Sequence, residues 1–237
     1  MKTNLATKYH VEKTDAEIKT DVLAELKYEP MVKATDIGVL VKDGVLTLNG
    51  YATSYGEKWN AVRAAKRVAG VKAIADEIKV QIPGTMHRTD GDIAASAASQ
   101  IKWSTSIPED TVKITVSDGW ITLEGQVDQS YQRKAAETSI HYLVGVKGVS
   151  NMISVKPAVT SIGIEREIQL AFERNALFGH NARKDAKQIH VQVSGNKVTL
   201  KGEVRNYAEL DEADLVAWNA PGVSSVDNQL TVEWNWF

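Results

Sequence analysis

The sequence predicts an α+β protein of three tandem α-β-β-α-β units, each a small three-stranded sheet with two helices on one face. Three observations predict it. The phrase "VKDGVLTLNG" at residues 41–50 returns as "VSDGWITLEG" at 116–125 and as "VSGNKVTLKG" at 193–202. From Gly50, Gly125 and Gly202 the chain runs 20 residues without a gap to Gly70, Gly145 and Gly222, each followed by valine. Upstream, each copy carries an apolar series at i, i+4 and i+8, one face of a helix: Ile18, Val22, Leu26; Ile93, Ala97, Ile101; Ile164, Ile168, Phe172. Self-similarity at a fixed period marks a repeated structural unit.

The elements follow in chain order. Thr14 with Glu17 forms a capping box, Thr89 with Asp92 a shorter relative, and the third helix start falls near Thr160 and Ser161. Two strands come next. Ile37, Val39 and Val41 alternate with other residues, as do Leu46 and Leu48, and the same slots recur at 112, 114, 116, 121, 123 and at 189, 191, 193, 198, 200. Such alternation buries one sheet face and leaves the other to water. "DG" in the first two turns and "GN" in the third are hairpin dipeptides, whose central residues accept positive φ. A second helix turns Ala61, Ala65 and Val68 inward, then Ala136, Ile140 and Leu143, then Ala213, Ala217 and Ala220, with the following glycine as C-cap. A last strand closes each unit. The third copy is longer around "NALFGHNARKDAKQ", which reads as an extended loop. The boundaries are a tail at 1–13 and units at 14–83, 88–157 and 160–237. Both linkers are short and carry a proline, so the copies are expected to touch.

The order of elements, the "DGVLTLNG" turn-strand, the 20-residue gap and the "GVKAI" start of the last strand resemble the BON domain (bacterial OsmY and nodulation). The resemblance covers about residues 14–82, 89–156 and 161–234, and the third copy departs from it through "SGNKVTLKG" and its longer loop. It implies association with the cell envelope or osmotic stress and attachment to phospholipid surfaces, and it implies no catalytic residues.

Composition bounds the function. Hydrophobic residues make up 43% and charged residues 24% of the 237, enough for packed cores. With 28 basic against 30 acidic residues the net charge is −2, which argues against a nucleic-acid partner. There is no cysteine, which excludes disulfides, thiolate chemistry and lipid attachment through a cysteine. No segment approaches the ~18 apolar residues of a membrane span. Read from Met1, "MKTNLATKYHVEKT" lacks a signal-peptide core and places the protein in the cytoplasm; a leader upstream would place it in the periplasm. Oligomeric state is left open.

No chemistry-bearing motif appears. His10, His87, His141, His180 and His190 form no HxxxH or HExxH pair, although His180 and His190 flank the third loop. Glu209, Asp211, Glu212 and Asp214 sit early in a helix, where acidic groups suit the dipole, and read as a solvated face. No catalytic residue, metal or cofactor is expected.

Aromatic and basic residues carry the remaining signal. Trp59 fills the slot of Lys134 and Asp211, and Trp218 that of Lys66 and His141. Slots that hold charges in sibling copies are expected to face solvent. Trp120 replaces Val45 and Lys197 on the open sheet face. Such groups mark either packing between copies or an external partner. Lys58, Arg63, Lys66 and Arg67 surround Trp59, a combination that attracts anionic headgroups if it is not simply a solvated helix face. Charge falls from 0 in residues 14–83 to −1 in 88–157 and −3 in 158–237, which makes the first copy the lipid candidate. The expectation is a non-enzymatic binding or scaffolding protein for anionic phospholipid surfaces or envelope proteins. The alternative is a chaperone-like module that holds unfolded clients, which salt would weaken far less.

Overall fold

In the computed structural model the described residues are 13–156, 163–178 and 189–232. The first copy runs α1 (Asp15–Tyr28), β1 (Ile37–Lys42), β2 (Val45–Ala52), α2 (Tyr55–Lys66) and β3 (Ala73–Val80). The second is α3 (Asp90–Trp103), β4 (Val112–Ser117), β5 (Trp120–Val127), α4 (Ser130–Ile140) and β6 (Gly148–Val155). The third is α5 (Ile164–Arg174), β7 (His190–Ser194), β8 (Lys197–Val204), α6 (Tyr207–Asn219) and β9 (Ser225–Val232). Each copy forms its own three-stranded sheet, its middle strand antiparallel to the first and parallel to the last. A hairpin cannot reach a parallel neighbour, so the second helix serves as the crossover and covers the buried face.

Local chemistry explains the repeated phrase. Thr14 and Thr89 complete capping boxes with Glu17 and Asp92. The next residue ties helix to hairpin: Asp15 accepts from the Asp43 and Gly44 N–H at 2.8 and 2.9 Å, and Asp90 from those of Asp118 and Gly119 at 2.9 and 2.8 Å. Both turn residues have positive φ in these two copies, 53° and 77° at Asp43 and Gly44. In the third turn Gly195 alone does, at 60°. Asn196 instead donates its side-chain amide to the Gly222 carbonyl. The final glycine of the phrase has φ 105° at Gly50, and a Cβ there would overlap the Asp36 carbonyl oxygen.

Two expectations about helix ends need correction. Gly70, Gly145 and Gly222 do not cap the second helices, which close at Arg67, His141 and Ala220; the glycines follow in the turn to the last strand, at φ 96°, 92° and 93°. The helix α5 starts behind Gly163 without a side-chain cap, and Thr160 and Ser161 lie outside the described residues.

Each core is the predicted one. Ile18, Val22 and Leu26 pack with Leu46, Leu48, Ala61 and Ala65, and the equivalent residues cluster in the other copies. In the third, Phe172 and Phe178 meet edge to face at 5.2 Å. One polar slot is buried in every copy: Glu57, Gln132 and Glu209, at 7%, 8% and 5% exposure. Glu57 accepts from Lys33 N–H (2.9 Å), Thr53 N–H (2.7 Å) and the Thr53 hydroxyl (2.6 Å). Gln132 accepts from Asp128 and Gln129 N–H, and Glu209 from Arg205 N–H and its guanidinium. The acidic series of α6 is therefore not a solvated face. Glu209 is a buried fastener, Glu212 accepts from Asn175 at 2.6 Å, and burial raises the Asp214 carboxyl above its ordinary range.

Candidate functional site

The three copies meet through their second helices under one rule: the first turns of each pack on the end of the next. At the first junction Tyr55 and Trp59 of α2 enclose His141 after α4, with ring centroids 5.6 and 4.9 Å away, and Tyr142 covers Gly56. At the second, the Ser130 hydroxyl donates to the Trp218 carbonyl at 2.8 Å while the Arg133 guanidinium lies 5.2 Å over the Trp218 ring. At the third, Lys66 pairs with Asp211 at 3.0 Å and Tyr207 donates to the Lys72 carbonyl at 3.3 Å. Head-to-tail contacts that return to their start after three steps form a closed pseudo-threefold ring.

This ring overturns the expectation that Trp59 and Trp218 face solvent. Both are half-buried at junctions. A slot can hold a charge in a sibling copy and still be a contact, because one junction is built from an ion pair and the others from rings. The basic cluster is also engaged internally. Lys58 donates to the Ile78 carbonyl at 2.7 Å and pairs with Asp76 at 3.1 Å. Arg63 lies 5.2 Å over Trp59, Lys66 holds Asp211, and Arg67 pairs with Glu25 and Glu29 at 3.1 and 3.3 Å. These side chains do not form an open basic surface. Trp120 is half exposed as expected, yet its ring lies on Gly148 and its indole N–H donates to the Ser150 hydroxyl at 2.9 Å, so it roofs a gap in its own sheet.

Among the described residues the histidines bring no site together, and His10 lies outside them. His141 is 3% exposed, with Nε2 a long 3.5 Å from Glu137 Oε1 and both ring nitrogens without a hydrogen bond of ordinary geometry. His141, then burial working the other way, then Asn151 act on the Glu137 carboxyl, which ends below its ordinary value. His190 is exposed, and His180 lies outside the described residues. Among the described residues no group of three or more His, Cys, Asp or Glu could hold a metal.

The sequence reading missed a different surface, at the tips of the first helices. Tyr28, the last residue of α1, is 80% exposed, and Trp103, its equivalent in α3, is 84% exposed. Each follows an exposed lysine, Lys27 and Lys102. In the first copy the exposed side of α1 continues as Lys19 and Leu23 at helical spacing, and Met31 is exposed just past the end. None of Lys19, Lys27 and Lys102 is held in an ion pair with another described residue. In α5 the equivalent slots are Gln169, Glu173 and Arg174, so the third copy lacks the combination. The i, i+4, i+8 apolar series located these helices, but it reports the buried side and not the outer one.

A second asymmetry lies beside Trp103. A groove of about 400 Å³ opens between α3 and the edge strand β4, lined by Ile101, Ile107, Val112 and Ile114 together with the charged Lys102, Glu109 and Asp110. In the first copy the Lys33 N–H to Glu57 bond pins this loop and Leu26 is fully buried. The second copy has Pro108 in the slot of Lys33, with no N–H to give.

Three small sheets, each covered by two helices and joined in a ring, define a tandem array of three small α+β domains. The chain belongs to the BON domain family, whose model matches residues 14–82, 89–157 and 164–233. It is 32% identical over 146 residues to "Osmotically-inducible protein Y" of Escherichia coli (strain K12), a match covering 60% of this chain and 73% of that protein. Two solved structures of CdsD, a structural protein of the Type III secretion system of Chlamydia trachomatis, align at 13% identity. One covers 89% of this chain and 90% of that one at a TM-score of 0.22; its C-terminal domain covers 94% and 100% at 0.24. Among the described residues no helix is long and apolar enough to cross a membrane.

Proposed function

We propose that the chain is a non-enzymatic, envelope-associated binding protein of osmotic stress that attaches to anionic phospholipid surfaces through the first-helix tips of its first two copies. The observation that carries this reading is the pairing of a projecting aromatic with an adjacent free lysine at equivalent positions, Lys27–Tyr28 and Lys102–Trp103. Indole and phenol rings suit the headgroup level, and each lysine near an anionic surface contributes about 1 kcal/mol. Family membership and the name of the Escherichia coli relative support the stress setting. The ring of junctions is scaffolding in this reading: Trp59 and Lys66 reach across junctions, Arg63 stacks on Trp59, and Lys58 and Arg67 are tied down inside the first copy.

Flotation with phosphatidylglycerol vesicles tests the proposal. Tyr28→Ala with Trp103→Ala abolishes binding, raised salt weakens it, and Lys58→Ala leaves it in place. Binding unchanged by the tip substitutions sinks the reading.

The groove of the second copy favours protein clients as a second reading. Strand β4 is a sheet edge, and an extended apolar segment could pair with it while dropping side chains between Ile101 and Ile114. Salt-resistant binding of an unfolded apolar peptide, lost on Ile114→Asp, would favour this reading.

A further inference from the structure

We propose that the contact of the third copy on the first is an ion-pair latch that opens as ionic strength rises. The other two junctions join copies that are neighbours in the chain; this one joins copies that are not. Its composition differs too. The first junction buries His141 to 3% exposure between two rings, and at the second Trp218 packs against the cores of both copies. At the third Tyr207 likewise touches the cores of both copies, but the contact adds the ion pair Lys66–Asp211, whose side chains are 34% and 54% exposed, with the Lys66 ammonium 5.6 Å from the Tyr207 ring centroid and the Tyr207 hydroxyl on the Lys72 carbonyl.

A solvent-exposed ion pair is the contact that salt screens most. The screening length falls from about 30 Å at 0.01 M salt to about 3 Å at 1 M. Tyr207 packs partly on the core of the first copy, so opening uncovers that phenol ring and the apolar surface beneath it. The ring then becomes an open array of three domains, and its closed fraction reads the ionic strength around it.

The cysteine-free sequence makes the test clean. Dyes on Glu77→Cys and Gln229→Cys, both exposed sheet positions, report the distance between the first and third copies. Glu77→Cys with Met152→Cys reports that between the first and second. Rising salt increases the open fraction read by the first pair about two- to fivefold and leaves the second pair unchanged. Lys66→Glu opens the first pair at low salt, and Lys66→Glu with Asp211→Lys closes it again. A first pair indifferent to salt, a first pair indifferent to Lys66→Glu, or both pairs opening together overturns the proposal.

Discussion

Trp59 of the first copy lies against His141 of the second, with ring centroids 4.9 Å apart and planes tilted by 46°. The same two slots carry the Asp211–Lys66 ion pair where the third copy meets the first. One backbone geometry is thus used with different chemistry at each junction, and the pairs are not interchangeable. Asp211 facing the Trp218 ring would lose its cationic partner. The side chains therefore fix the order of copies around the ring as well as its closure.

Removing the ring at the first junction should loosen the assembly. Trp59→Ala costs about 2 kcal/mol of stability, below the range for a fully buried tryptophan because this one is half-buried. Denaturant unfolding checks it, and vesicle binding by the same variant should match wild type.

The buried Glu57 fastener gives a second prediction. Glu57→Ala strands the Lys33 and Thr53 N–H groups and costs about 2–3 kcal/mol. Glu57→Gln costs less, because Gln132 does the same work in the second copy by taking two N–H donors on one oxygen. Chemical denaturation ranks the three proteins.

Glycine in the repeated phrase is required by geometry. Gly50→Ala places a methyl on the Asp36 carbonyl oxygen at φ 105° and costs more than about 2 kcal/mol. Gly84→Ala meets nothing within 4 Å and leaves the melting temperature unchanged or slightly raised.

Acid should reveal Glu137. His141 and Asn151 hold its carboxyl below the ordinary value of 4.5, so it binds fewer protons folded than unfolded. Its contribution is therefore present above that value and is lost as pH falls through the lowered one. Glu137→Gln is less stable than wild type at neutral pH, and the difference shrinks below pH 4.5. Melting curves across that window measure it.

The fold was legible because each unit states it in periodicities that survive without tertiary context. The helix spacing of Ile18, Val22 and Leu26 and the alternation of Leu46 and Leu48 recur in every copy. The surface was less legible. Comparing Trp59 with Lys134 and Asp211 pointed to solvent, because the comparison assumed that equivalent slots share an environment; in the ring they share a geometry but face different partners. Lys58, Lys66 and Arg67 looked free because Asp76, Asp211 and Glu25 reach them only through the fold, whereas Arg63 and Trp59 meet one turn apart on the same helix. Tyr28 and Trp103 could have been found from the sequence by asking which aromatic at a repeated helix end falls outside the buried series.

The most direct measurement places an environment-sensitive dye at Ser106→Cys, three residues beyond Trp103 and exposed, and at Glu77→Cys on the open sheet face of the first copy. Phosphatidylglycerol vesicles are then added at low salt. The account predicts a blue shift at position 106 that disappears with Lys102→Ala and Trp103→Ala, and no shift at position 77. A shift at position 77 alone, or none at position 106 while the protein floats with the vesicles, would contradict it.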